Sequence, residues 1–172
     1  MKALILDSSV ISALKNLNCF AHLKKLASMK NWIIVIPDLV LEEISNNIDI
    51  MELKSVLNCQ SCIINPKNFE NLKNRYPALA NGELAVLFLS LNFQKFGINA
   101  KEAVAVLDDK AARSTASKLG IKYFGTLRLL KIMLDVGILT RSQFFIFIQK
   151  LKEYGFRFTD NIIYSLIAKE NL

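Results

Sequence analysis

The sequence predicts an α/β fold, with a central, mostly parallel sheet and helices on both of its faces. Short apolar runs, some rich in β-branched residues, alternate along the chain with helix-period patterns. Strands separated by helices are joined by right-handed crossovers into parallel sheets. At 172 residues, 52% of them hydrophobic, with a mean hydropathy of +0.30, the chain has the material for one sizeable core. No repeat, Gly/Ser-rich linker or compositional break divides it, so residues 1–172 read as a single domain.

Residues 3–6 are an apolar run and read as the first strand, followed by helices through 10–17 and 20–29. Residues 32–36 form a second strand, rich in β-branched side chains. Pro37 and Asp38 open a helix, Pro suiting a first turn and Asp a cap. Residues 62–64 are a weaker strand, and 81–96 a long helix capped by Asn81. The run at 103–107 is a buried strand ending at Asp108-Asp109. The helix after it stops at Gly120, the residue favoured just past a C-terminus. Residues 121–124 are another strand, and Gly125-Thr126 turns into a helix over 127–136. Two further helices follow, capped by Thr140 and Thr159, with Gly137 and Gly155 as stops.

No apolar run approaches the roughly 18 residues a membrane span needs. The opening MKALILDSSV reaches an acid at position 7, too early for a signal-peptide hydrophobic region, so a cytoplasmic protein is expected. Twenty-two Lys and Arg against fifteen Asp and Glu give a net charge of +7. Between Lys110 and Lys131 stand six basic residues and no acid. That run suits a polyanion such as nucleic acid or an anionic membrane surface, and equally a solvated basic face. Cys19, Cys59 and Cys62 are an odd number, which argues against a disulfide framework. Cys59 and Cys62 have zinc-like spacing but no second Cys/His pair. The one histidine, His22, lies in a helical stretch without a nucleophile motif, which disfavours a Ser-His-Asp triad.

Ligands of open α/β sheets bind outside the carboxyl ends of the strands, and the acids of this chain gather at such places. Asp7 directly follows the first strand, and Glu42 and Glu43 lie in the helix after the second. Glu83 is in the first turn of the helix opened by Asn81-Gly82, and Asp108 and Asp109 follow the strand at 103–107. Singly, each has an ordinary reading as a helix cap, a dipole partner or a solvated charge. Together they would repel one another, and a divalent cation relieves that repulsion. Mg²⁺ and Mn²⁺ take oxygen ligands and keep several waters, which suits a carboxylate site in a chain with one histidine. Such an ion orients water for attack on phosphorus, while Lys110 and Arg113 hold the backbone of a nucleic acid.

These residues resemble a PIN domain, the fold of many metal-dependent ribonucleases. Leu6-Asp7-Ser8-Ser9-Val10-Ile11 is similar to the family's first motif, and Ile36-Pro37-Asp38-Leu39-Val40-Leu41-Glu42-Glu43-Ile44 to its second, with Glu43 in the ligand register. Gly82-Glu83-Leu84-Ala85 resembles the third, with Glu where many relatives carry Asp. Leu107-Asp108-Asp109-Lys110-Ala111-Ala112-Arg113, continuing through Gly120-Ile121 and Gly125-Thr126, resembles the fourth. The ending Tyr154-Gly155-Phe156-Arg157-Phe158-Thr159-Asp160 is similar to that of one archaeal and bacterial subgroup. The resemblance covers essentially the whole chain and implies a three-layer α/β/α fold with the carboxylates in one cleft. It implies Mg²⁺- or Mn²⁺-dependent endoribonuclease activity, as in VapC-type toxins, with RNA as substrate, an antitoxin protein as a partner, and a homodimer built on the first helices. Asp7 and Asp109 are then the principal metal carboxylates, with Asp108 as a substitute, while Glu43 and Glu83 complete the site directly or through water. Ser8, Ser9 and Thr126 are placed to hydrogen-bond those ligands or a phosphate, or to cap helices, and Asp160 lies in the first turn of the last helix. Which of Asp108 and Asp109 faces the metal stays open.

Rival readings fit less well. A non-catalytic binding module on the same fold is expected to lack carboxylates, and here all four positions are filled. A phosphoryl-accepting receiver wants an acidic pair near the first strand, and a haloacid-dehalogenase-like phosphatase wants Asp-x-Asp where Ser9 stands.

Overall fold

A computed structural model of the protein describes residues 1–159 and 161–164. Its strands are β1 (Lys2–Leu6), β2 (Trp32–Pro37), β3 (Gln60–Cys62), β4 (Glu102–Val106) and β5 (Tyr123–Phe124). They form one sheet in the order β3-β2-β1-β4-β5, and every neighbouring pair is parallel. The expected mostly parallel sheet is thus wholly parallel, and with helices around it the architecture is the three-layer α/β/α fold. Residues Ala3 to Leu6 and Ala103 to Val106 are buried on both faces, which is why these strands read as continuous apolar runs rather than alternating ones.

The helices are α1 (Ser8–Asn16), α2 (Phe20–Lys30), α3 (Asp38–Ile44), α4 (Ile50–Leu57), α5 (Glu70–Arg75), α6 (Asn81–Asn92), α7 (Lys110–Lys118), α8 (Thr126–Asp135) and α9 (Arg141–Glu153). Of these, α6 is the most deeply set, with Leu84 to Leu87 and Leu89 buried, and it packs against β1, β2 and β4. The sequence signalled no separate α4 or α5, although Asp49 caps α4 by accepting from the N–H groups of Met51 and Glu52. The expected Thr140 cap is present, paired reciprocally with Gln143.

Several expectations are corrected. The weak strand lies at Gln60–Cys62, not 62–64, because Ile64 turns its N–H to the Asp38 carboxylate (2.9 Å) instead of to a strand. The same bond means that Asp38 does not cap α3, whose N-cap is Pro37. The last strand is Tyr123–Phe124 alone, because Ile121 donates its N–H to the Ala116 carbonyl and so closes α7. Asn81 is the first residue of α6 rather than its cap, and α6 ends at Asn92, after which Phe93–Phe96 tighten into a 3₁₀ turn. The basic stretch from 110 to 131 is not one face. Lys131 is 3% exposed and ion-paired with Asp135, and Lys122 pairs with Glu102 beside Lys2. Those two ammonium groups hold the Glu102 carboxyl down at about 2. Within α9, Phe144 and Ile148 are core while Phe145 and Ile146 are exposed. The three thiols are free, and burial pushes that of Cys19 up to about 12. Thr159 accepts through its carbonyl from Ile162 and Ile163 as the next turn begins, while Asp160 lies outside the described residues. Among the described residues no helix is long and apolar enough to cross a membrane.

Candidate active site

The strand order places the switch point between β1 and β4, since the chain leaves β1 toward β2 and β3 and then returns to its other side for β4 and β5. A parallel sheet opens a crevice at that point, beyond its carboxyl ends. Asp7 stands at the end of β1, its N–H donated to the Val106 carbonyl at the end of β4. Asp108 and Asp109 follow β4, while Glu43 on α3 and Glu83 on α6 approach from the helices packed over the same edge.

Four of these carboxylates share one pattern, with one oxygen anchored and the other without a hydrogen-bond partner among the described residues. Asp7 Oδ2 accepts from the Ser9 hydroxyl (2.7 Å) and backbone N–H (3.3 Å), and its Oδ1 is buried with no partner. Glu43 Oε1 accepts from the Gly82 N–H at 2.8 Å, in the first turn of α6. Glu83 Oε2 accepts from the Ala80 N–H at 2.9 Å, reaching back over the start of its own helix. Asp109 Oδ1 accepts from the Ala112 N–H at 2.8 Å as the N-cap of α7. The caps are therefore real, and each leaves an oxygen over.

The group is electrostatically strained. Burial raises the Asp7 carboxyl above its ordinary value of 3.8 against the lowering pull of the Ser9 hydroxyl, and the negative charge of Glu43 adds to the rise. Burial also raises Glu83, and the charges of Asp7, Asp109 and Glu43 push it in the same direction. The like charges that act on Asp7 and Glu83 in this way are those of the neighbouring acids.

Asp108 belongs to different company. Its Oδ1 accepts from the Thr126 N–H (2.8 Å) and its Oδ2 from the Thr126 hydroxyl (2.6 Å), so both oxygens are used. Burial raises its carboxyl, and the charge acting on it is that of Arg113. A Cβ at Gly125 would come 2.6 Å from Asp108 Oδ1 and 3.1 Å from the Leu107 carbonyl, so glycine is what lets this turn close over the carboxylate. Thr126, expected as a contact for a ligand or a phosphate, is 0% exposed with both donors given to Asp108. Of the roles expected of it, Thr126 takes the bond to a candidate ligand carboxylate, as an internal tie to Asp108. Thr126→Val, close to isosteric, leaves a buried carboxylate oxygen without its donor, and is expected to cost about 1–3 kcal/mol in a urea unfolding curve. No measurable loss would mean that the tie is not structural.

The remaining sequence candidates divide. Ser9, not Ser8, supplies the hydroxyl on Asp7. Glu42 is exposed, its backbone carbonyl accepting from Ser45, which leaves Glu43 as the glutamate of α3 in the group. Lys110 is exposed at the first position of α7, and Arg113 sits one turn along, its N–H donated to the Asp109 carbonyl. Sequence reasoning passed over Gly82, where a Cβ would fall 2.5 Å from both Glu43 oxygens. A glycine in the first turn of an otherwise apolar helix was the available signal of such a close approach.

Among the described residues no three acidic, histidine or cysteine side chains are placed so that together they could hold a metal ion. The donor set nevertheless fits a hard divalent cation. It is all carboxylate oxygen, and one of those oxygens is buried and unpartnered at the charged edge. Mg²⁺ binds through one or two carboxylates and keeps its remaining waters, so it does not need a closed protein cage. A family model described as a PIN domain matches residues 3–171 of the chain. No curated protein matches the sequence.

Proposed function

Since the chain belongs to the PIN domain family, a nuclease-type fold, we propose that it is a divalent-metal-dependent endoribonuclease whose site is the carboxylate group at the switch point. The observation that supports this most is the shared pattern of Asp7, Glu43, Glu83 and Asp109, each with one oxygen anchored and one left for a ligand. Asp7 and Asp109 would hold a Mg²⁺ or Mn²⁺ ion directly, and Glu43 and Glu83 through water. When bound, the ion supplies a water oriented for attack on phosphorus and neutralises charge developing on the phosphate.

The chain's own residues do the rest. Ser9 fixes Asp7 by its Oδ2, so that Oδ1 keeps one direction. The Gly82 N–H does the same for Glu43 from a helix N-terminus, where a carboxylate is favoured. Asp109, rather than Asp108, serves in the site, because Asp108 has given both oxygens to Thr126 and braces the β5–α8 turn. Lys110 and Arg113, in the first turn and a half of α7, present cationic groups to the substrate backbone beside Asp109.

The test is cleavage of labelled single-stranded RNA by the purified protein with Mn²⁺, Mg²⁺ or EDTA, beside Asp109→Asn and Asp108→Asn. Metal-dependent cleavage that Asp109→Asn abolishes is the expected result. Asp108→Asn is expected to lower stability more than it lowers activity. Cleavage unchanged in EDTA would overturn the metal reading. RNA bound and never cut in any metal would favour a non-catalytic module on the same fold.

A further inference from the structure

A cavity of about 610 Å³ is bordered by Asp108, by Arg113 of α7, by the start of α8, and by the segment that follows α9. Its size falls within the roughly 300–1,000 Å³ of small-ligand pockets. Its lining brings together guanidinium groups distant in sequence, Arg113, Arg128 and Arg157, with the aromatic rings of Tyr154, Phe156 and Phe158. None of the three arginines is in an ion pair among the described residues. Phe156 and Phe158 pack against the core, while Tyr154, on the cavity lining, is 52% exposed. Asp108, the one carboxylate in the wall among the described residues, keeps both oxygens on Thr126.

We propose that this cavity is a nucleotide subsite for single-stranded RNA, taking one unpaired base against Tyr154 and an adjoining phosphate between Arg113, Arg128 and Arg157. The inference rests on the nuclease reading of the carboxylates and adds to it how the substrate strand is gripped. Three cations alone would suit any polyanion, an acidic peptide included. Rings among the cations select a ligand with both charge and a flat face, and guanidinium groups and aromatic side chains are what unpaired bases stack on. A duplex base is not free to enter. Arg113 stands one turn from Asp109, and Asp108 in the cavity wall is its neighbour in the chain, which puts the cavity next to the segment that carries a candidate metal carboxylate.

The test measures binding of a fluorescein-labelled 12-nucleotide oligouridylate to the full chain in EDTA, by anisotropy across a salt series. A ribose–phosphate oligomer of the same length without bases serves as the comparison probe. Arg128→Ala and Arg157→Ala, both at exposed residues, are each expected to weaken oligouridylate binding about fivefold to tenfold and to flatten the salt slope by about 0.7 for each phosphate no longer neutralised. Tyr154→Ala is expected to weaken the base-bearing oligomer about tenfold and the abasic one not at all, and Tyr154→Phe to restore binding. Equal affinity of wild type for the two oligomers, or displacement of the RNA by a polyglutamate of the same charge at the same concentration, would overturn the subsite in favour of a plain cationic patch or a peptide partner. So would variants that bind as wild type does, or a wild type that binds no RNA. Metal-dependent cleavage is read separately. Cleavage with no effect of these variants on binding removes the subsite alone, and weakened binding in variants of a protein that never cleaves removes the catalytic reading alone.

Discussion

Asp7→Asn is expected to reduce metal-dependent RNA cleavage by about 10²–10³-fold or more while leaving the melting temperature in EDTA at or above that of wild type. The substitution keeps the size of the side chain and the oxygen that accepts from Ser9, and it removes a charge that the fold buries to 2% exposure without a partner for Oδ1. The pH dependence follows from the direction of the shift. Burial raises the folded carboxyl above its ordinary 3.8, so between that value and the raised one the folded chain holds more protons than the unfolded chain. The contribution of Asp7 to stability therefore declines as pH rises through this window, and at neutral pH the full penalty is present. Asp7→Asn removes that part of the decline, which melts at a series of pH values in EDTA will read. Added Mn²⁺ is expected to raise the melting temperature of wild type, because a ligand bound only by the folded state stabilises it, and to leave that of Asp7→Asn unmoved. Cleavage at wild-type rate by Asp7→Asn would remove this carboxylate from the chemistry.

Gly82→Ala is expected to cost about 10–100-fold in activity, the usual scale for removing a group that orients a metal carboxylate, with little change in fold. The added Cβ would stand 2.5 Å from both oxygens of Glu43, so the carboxylate must leave and with it the 2.8 Å bond from the Gly82 N–H. Glu43 is an exposed side chain on α3 and has room to swing away. On stability two effects oppose. Alanine gains about 1 kcal/mol of helix propensity over glycine, and the missing charge-assisted hydrogen bond costs about 1.5–3 kcal/mol, leaving a net loss near 1 kcal/mol. The informative comparison is a double-mutant cycle with Glu43→Gln. If Gly82 acts by holding Glu43, the two losses of activity do not add. Fully additive losses would give Gly82 a role of its own, and full activity in Gly82→Ala would exclude Glu43 from the machinery.

The strands β1, β2 and β4 were legible because a parallel strand covered on both faces is apolar at every position, a local property of the sequence. The helix stops at Gly120 and Gly137 and the Thr140 cap were legible for the same reason, since each depends on residues a few positions apart. The edge strands β3 and β5 shifted because their limits depend on distant partners. Ile64 answers to Asp38, 26 residues earlier, and Ile121 to the end of α7. The wholly parallel order β3-β2-β1-β4-β5 likewise decides where the crevice opens, and nothing local writes it.

The site divides along the same line. Asp7, Glu43, Glu83 and the doublet Asp108-Asp109 stood out in the sequence by type and by place after strands, and their resemblance to PIN domain motifs put them in one cleft. The inventory was already written in the order of residues, namely hard oxygen donors, a single histidine and cations on the following helix. Folding then divided the doublet, by bringing Thr126 within hydrogen-bond reach of Asp108 and leaving Asp109 among the other acids. It also made Gly82 necessary and set Arg157 on the same cavity as Arg113. Residue type and local pattern settle which charges a chain can offer. Which of their oxygens are consumed by neighbours depends on contacts that exist only once the chain has closed on itself.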